Sequence, residues 1–273
     1  MPVVKVNGVH IFYELTGTNG DPLVFVHGSW SDHATWDLVT GELAKTFLVL
    51  TYDRRGHSLS ERLPGSGLVA EDVDDLVAMV EQFALSPAHI VGNSFGSSIV
   101  LKAAIKRPDI FRSMIIHEPP LFPLLHDNTN AQAALHAVNG AIKKVLDLVA
   151  AGEMENAAKQ FMNNIAMGPG AWEQLPGKKK ETYIYNAPTW YDELQDPECL
   201  QIDLRRLSFF NKPTLLSVGS ESPSFFPLVI DKLKDYLPMV TFKKIEGAGH
   251  VPYASHPDTY IDMVKDFVDQ QED

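Results

Sequence analysis

Short apolar runs and amphipathic stretches alternate along the first 120 residues. Residues 3–6 and 9–15 read as two strands joined by Asn7-Gly8, a dipeptide that favours a tight hairpin. Residues 23–27 and 47–52 are apolar runs that close on Gly28 and Asp53, as strands buried on both faces do. Helical spacing covers 36–43 between them and 69–83 after them. A strand at 89–92 leads into a helix at 95–106, rich in small apolar residues and followed by Pro108, and 114–117 is another strand. Strands and helices alternating through short joints predict right-handed crossovers and a mostly parallel sheet.

From 121 to 205 the period is helical throughout, over 131–151, 153–167 and a Trp/Tyr-rich stretch at 183–191. Gly168-Pro169-Gly170 and Pro176-Gly177 break it. Strands return at 214–218 and 240–245, followed by helices at about 225–237 and 257–270. The expected organisation is one core, residues 1–120 and 206–273, split after its sixth strand by a helical cap at 121–205. A chain of 273 residues is long enough for this.

The formal net charge of -12 disfavours nucleic acid, whose phosphates need Lys and Arg. The single cysteine, Cys199, excludes an intramolecular disulfide. No basic segment followed by an apolar run opens the chain, and no apolar stretch reaches membrane-spanning length, so a cytoplasmic address is the expectation. No metal and no cofactor are expected: His117-Glu118 is not H-E-x-x-H, and Pro119-Pro120 forbid the helix that motif needs. The sequence leaves a homodimer open.

The sharpest local signal is Gly92-Asn93-Ser94-Phe95-Gly96, which fits G-x-S-x-G between a strand and a helix. A tight turn there exposes the Ser94 oxygen beside a helix N-terminus, where developing negative charge is favoured. The plainer reading, a helix N-cap serine, explains neither the flanking glycines nor the partners elsewhere in the chain. A serine attacking a carbonyl makes an oxyanion, which needs preorganised donors. The N–H of Phe95 is one candidate; the N–H of Ser29, in His27-Gly28-Ser29-Trp30 after the third strand, is the other. Among ten histidines, only His250 follows the last strand behind flexible glycines, in Gly247-Ala248-Gly249-His250. That makes it the candidate general base.

In this order the His-Gly loop, Asp53-Arg54-Arg55-Gly56-His57-Ser58, G-x-S-x-G and the late Gly-His resemble the α/β-hydrolase superfamily. The resemblance implies an α/β-hydrolase fold: a mostly parallel eight-stranded sheet flanked by helices, with a helical cap after the sixth strand. The Asp53–Ser58 segment is similar to that family's D-x-R-G-x-G-x-S turn, with His57 where glycine is usual; the turn reads as structural, with His57 within reach of the pocket rim as the alternative. The family's usual acid follows the seventh strand, in Gly-x-x-Asp, but this chain has Ser222 there, with Glu221 one residue early. The alternative is Glu118, at the end of the sixth strand in Ile116-His117-Glu118-Pro119-Pro120. This stretch is similar to the His-Glu-x-Pro segment of zearalenone-type lactone hydrolases, where the glutamate is the triad acid. Strand alternation predicts that His117 and Glu118 face opposite ways, so that only one faces the site. Glu118 is favoured over Glu221.

Aromatic and Met residues in the cap suit an apolar pocket. Gly28, Trp30, Phe122, Trp172, Tyr183 and Trp190 are the candidate substrate-binding residues. The expected activity is that of a serine hydrolase cleaving a small hydrophobic ester, tilted toward a macrolactone or an acyl-homoserine lactone by the resemblance at Glu118. A C–C bond hydrolase or a cofactor-free perhydrolase on the same scaffold, and a ligand receptor that keeps the fold, stand as alternatives.

Overall fold

The hydrophobic pattern resolves into an eight-stranded sheet of order β1-β2-β4-β3-β5-β6-β7-β8. The coordinates are a computed structural model, which describes residues 2–271 apart from Pro64 and Ser66. The strands are β1 (Val3–Val6), β2 (Val9–Thr16), β3 (Pro22–Val26), β4 (Leu48–Tyr52), β5 (Ala88–Asn93), β6 (Phe111–His117), β7 (Thr214–Gly219) and β8 (Val240–Ile245). β1 and β2 form the hairpin expected at Asn7-Gly8, with Val6 opposite Val9 and both turn residues at positive φ. β2 joins β4 antiparallel, and all later pairings are parallel.

Helices α1 (Asp37–Leu43), α2 (Val69–Gln82) and α3 (Phe95–Lys106) lie in the three connections from β3 to β6. Between β6 and β7 lie α4 (Gln132–Ala150), α5 (Met154–Phe161), α6 (Ala171–Gln174), α7 (Gly177–Glu193) and α8 (Leu204–Leu207). The core closes with α9 (Phe225–Lys234), α10 (Pro252–Ser255) and α11 (Pro257–Asp269). Alternate residues of β3 feed opposite layers. Val24 and Val26 pack in the cluster that holds Leu76 of α2 and Ile99 of α3. Leu23 and Phe25 pack with Leu43 of α1 and Phe267 of α11. A strand sandwiched this way reads as a continuous apolar run, which is how β3 and β4 appear in the sequence.

Among the described residues, the β6–β7 insertion contains no strand. α5 ends in a π-helical turn, Met162–Ala166, ahead of the Gly168-Pro169-Gly170 break. α7 begins directly after Pro176 and runs further in both directions than its aromatic stretch suggests, passing through Pro188.

Candidate active site

Ser94 sits on a single-residue bend between β5 and α3, with φ 54° and ψ -126°. Its N–H donates to His117 O at 2.9 Å, which ties the bend to the neighbouring strand β6. The glycines on each side are there for room. A Cβ on Gly96 would lie 2.2 Å from Val26 O, and one on Gly92 would lie 2.6 Å from Ser97 Cα. Both obstacles are backbone and cannot step aside.

His250 lies in the loop after β8 and is almost fully buried. Asn93, the residue before the bend, donates from Nδ2 to His250 O at 3.0 Å and accepts from Tyr253 Oη at 3.0 Å. The ring is stacked on Phe226 of α9, with centroids 4.4 Å apart and planes within 12°. Nδ1 meets Glu118 Oε2 at 2.6 Å. The other carboxylate oxygen, Oε1, accepts from the Gly219 N–H at 2.8 Å. Glu118 is therefore anchored through one oxygen by the Gly219 N–H while the other addresses the imidazole. Glu221 is exposed, and its N–H is spent on Ala248 O at 2.9 Å.

Strand alternation does not separate His117 from Glu118. β6 ends at His117, and Glu118 takes φ 49°, so its side chain swings back until His117 Nε2 is 3.6 Å from Oε1. His117 Nδ1 lies 2.9 Å from Ser217 Oγ. Burial drives His117 down to about 4, so it sits beneath the carboxylate as a neutral ring at pH 7. Burial alone would push Glu118 up; the neighbouring His117 and the hydrogen bond from His250 outweigh it and hold the carboxyl at about 2. A carboxylate that stays charged beside Nδ1 fixes the imidazole with its proton on that nitrogen and Nε2 free to accept.

Ser29, Ser94 and His250 line the junction of a two-lobed cavity. One lobe is bounded by Phe122, Ile142, Phe161, Ile165, Trp190 and Leu194. The other is bounded by Gly28, Ser31, Met162, Met167, Tyr183 and Tyr253. Phe95 opens α3, so its N–H has no upstream helical carbonyl to bond. It lines the first lobe with Ser29.

Of the expected pocket residues, Gly28, Phe122, Tyr183 and Trp190 line these lobes, but Trp30 and Trp172 do not. Trp30 is fully buried behind the wall, stacked on Phe161 at 4.9 Å and tilted against Trp190 at 5.3 Å. Trp172 packs inside the insertion with Lys180 Nζ over its ring. Bulk placed both rings in a core rather than at a surface. His57 is also fully buried and does not reach the rim: its Nδ1 donates to Arg55 O at 3.0 Å. His27 is structural, donating from Nδ1 to Gly28 O at 2.7 Å and accepting the Arg54 N–H at 2.9 Å.

Three contributors escape sequence reasoning. Phe226 is an ordinary helix residue until β7 and β8 bring it against His250. Asn93 was visible as a motif member, but its bond to the His250 backbone was not. Glu193 of α7 is buried between Ser29 and Arg54, accepting at Oε2 from the Ser29 hydroxyl at 2.7 Å and at Oε1 from Arg54 Nη2 at 2.6 Å. Among the described residues, no cluster of His, Cys, Asp and Glu is arranged to hold a metal ion, and no helix is long and apolar enough to cross a membrane.

The chain belongs to the α/β-hydrolase fold family, whose model matches residues 21–257. It is a hydrolase of that family. It is 26% identical over 267 residues to a zearalenone hydrolase of Bionectria ochroleuca, covering 94% of this chain and 93% of that one. It is 35% identical to the uncharacterized hydrolase YraK of Bacillus subtilis (strain 168) over 133 residues, 48% of each chain. Among solved structures it resembles Est816, described as an N-acyl homoserine lactone degrading enzyme. The TM-score is 0.74 at 23% identity, covering 97% of this chain and 100% of that one. At that identity the likeness speaks for the fold alone.

Proposed function

We propose that this hydrolase cleaves an uncharged, apolar carboxylic ester, with lactones as the favoured class, through an acyl-enzyme on Ser94. The observation that carries the reading is the junction itself. A hydroxyl on a strained bend and an imidazole bonded at 2.6 Å to a buried carboxylate line one cavity with apolar walls.

His250 takes the Ser94 proton as Oγ attacks the carbonyl carbon, and Glu118 steadies the imidazolium. The N–H groups of Ser29 and Phe95 receive the oxyanion. Collapse expels the alkoxide, which takes the proton from His250; in a lactone it stays tethered to the acyl chain. Water activated by His250 then frees Ser94 and releases the hydroxy-acid. The two lobes let substrate extend on both sides of the carbonyl. The similarity to a zearalenone hydrolase along 94% of this chain, and the resemblance of the His117-Glu118-Pro119 segment to that type of lactone hydrolase, support the lactone class.

C–C hydrolysis of acidic diketones is less well supported, because among the described residues neither lobe is lined by Lys or Arg to take a carboxylate. The test is a substrate panel of aryl esters, macrolactones, acyl-homoserine lactones and vinylogous diketones, run on the wild type and on Ser94→Ala. Steady turnover of lactones that disappears in Ser94→Ala supports the proposal. Turnover of the diketones alone overturns it, and a single slow turnover with retained product favours a receptor.

A further inference from the structure

The insertion grips the Ser29 loop through one face of α7. Asn186, Thr189, Trp190 and Glu193 are spaced i, i+3, i+4 and i+7, so they form one stripe, and all four are buried. Asn186 Nδ2 donates to Ser31 O at 2.9 Å and Trp30 O at 3.2 Å, while its Oδ1 accepts the Ser58 N–H at 2.8 Å. Thr189 Oγ1 donates to Gly56 O at 2.6 Å. Glu193 completes the stripe with its bonds to the Ser29 hydroxyl and Arg54.

Arg54 is the hub of this contact. Its guanidinium lies 5.1 Å from the centre of the Phe95 ring. Nη1 donates to Asp72 Oδ2 at 3.2 Å, and Nη2 contacts His57 Nε2 at 3.2 Å and Gly28 O at 3.5 Å. Arg54 thus touches Phe95 directly and Ser29 through Glu193, the two residues assigned the oxyanion. Arg54 and Asp72 belong to the core, whereas Glu193 arrives with the insertion. Without it, a fully buried guanidinium keeps only Asp72 as a charged partner, and the Ser29 hydroxyl loses its acceptor.

We infer that Glu193 is a positioning residue for the oxyanion hole: α7 delivers its carboxylate to clamp Ser29 against Arg54, so the hole is complete only when the insertion is docked. This rests on the serine-hydrolase reading above.

The experiment uses Glu193→Gln, which keeps the shape and loses the charge, and Ser29→Ala, which loses the hydroxyl and keeps the N–H. The probe is a p-nitrophenyl phosphonate. Ser94 Oγ bonds to phosphorus, the P–O bond to p-nitrophenolate breaks, and His250 takes the serine proton. The rate is read from p-nitrophenolate release, and the labelled residue by mass spectrometry. Both variants are expected to slow phosphonylation and ester kcat by about 10- to 100-fold, less than outright loss of a donor. KM should change by less than about threefold, and the double variant should be no slower than the worse single one. Near-UV circular dichroism checks folding; if Glu193→Gln does not fold, Ser29→Ala carries the test alone. Folded variants that label at the wild-type rate, or that change only KM, overturn the clamp. A wild type that is not labelled at Ser94 overturns the serine-hydrolase reading, and the clamp with it.

Discussion

Phe226 lies flat against His250, ring on ring at 4.4 Å, while Glu118 holds the same imidazole by its edge at 2.6 Å. The carboxylate sets the tautomer and one axis of the ring; the phenyl face removes the remaining rotation. Phe226 is almost fully buried, so Phe226→Ala is expected to cost about 3–5 kcal/mol of stability through the cavity it leaves. A freed imidazole should also lower kcat by up to about 10²-fold. Urea unfolding and steady-state kinetics on one preparation separate the two effects. A Phe226→Ala protein with full kcat would show that Glu118 and the loop suffice to aim the base.

Glu118 and Glu221 make a discriminating pair because only one reaches His250. In Glu118→Gln, Oε1 can still accept from Gly219 N–H, so the fold has little reason to change. The amide in place of Oε2 would present N–H to Nδ1 and favour the wrong tautomer, a fault that costs about 10⁴-fold in kcat in a comparable triad. Glu221→Gln, on an exposed side chain, should stay within about twofold of the wild type. The comparison needs one ester assay, and a dead Glu221→Gln would refute the assignment.

Much of this was legible in the chain because local rules agree with the global fold. Apolar runs such as 23–27, short and closed by glycine, read as buried strands, and Gly92 and Gly96 announce a bend with no room for side chains at either position. Glu118 and Glu221 stayed in competition because sequence carries no distance, and the alternation argument failed at Glu118, where a positive φ ends the strand's two-residue period. Glu193 was invisible for a different reason. Its partner Ser29 is 164 residues away, and a polar residue facing inward leaves no periodic trace of what it meets. Trp30, in the loop after β3, and Trp172, in the insertion, were misplaced because a large aromatic residue packs a core as readily as it lines a pocket.

Acid should weaken the fold well above the usual carboxylate range. Burial lowers His27 from 6.5 to about 3 and His117 from 6.5 to about 4. Between those values the unfolded chain binds protons that the folded chain refuses, so stability is full above 6.5 and is lost as pH falls toward 4. Glu118, lowered from 4.5 to about 2, extends the loss further down. Asp72 has the opposite sign: burial raises it from 3.8 to about 7, against the pull of Arg54, so it favours the folded state as pH falls through that window. The wild type should therefore lose on the order of a few kcal/mol between about pH 7 and pH 4. Asp72→Asn, which removes the compensating proton, should steepen that loss. Urea midpoints measured across this range decide it; a flat wild-type profile, or a slope unchanged in Asp72→Asn, contradicts the account.

Ser94 exposes the conflict between stability and chemistry most directly. Its φ of 54° with ψ of -126° lies in a region that side-chain-bearing residues avoid, at a cost of about 1–3 kcal/mol. The bend is enforced by β5, α3 and the Ser94 N–H bond to His117 O, so a substitution at 94 inherits the strain unless it is glycine. Ser94→Ala should lose about 10³-fold or more in turnover and change stability little, because the Cβ remains. Ser94→Gly should be equally inactive yet more stable than Ser94→Ala by about 1 kcal/mol or more, with the gain reduced by the extra freedom glycine brings to the unfolded chain. Thermal and urea unfolding of the three proteins test this ranking. If Ser94→Gly is less stable than Ser94→Ala, the bend stores no strain, and the serine's conformation owes nothing to a trade of stability for exposure of its hydroxyl.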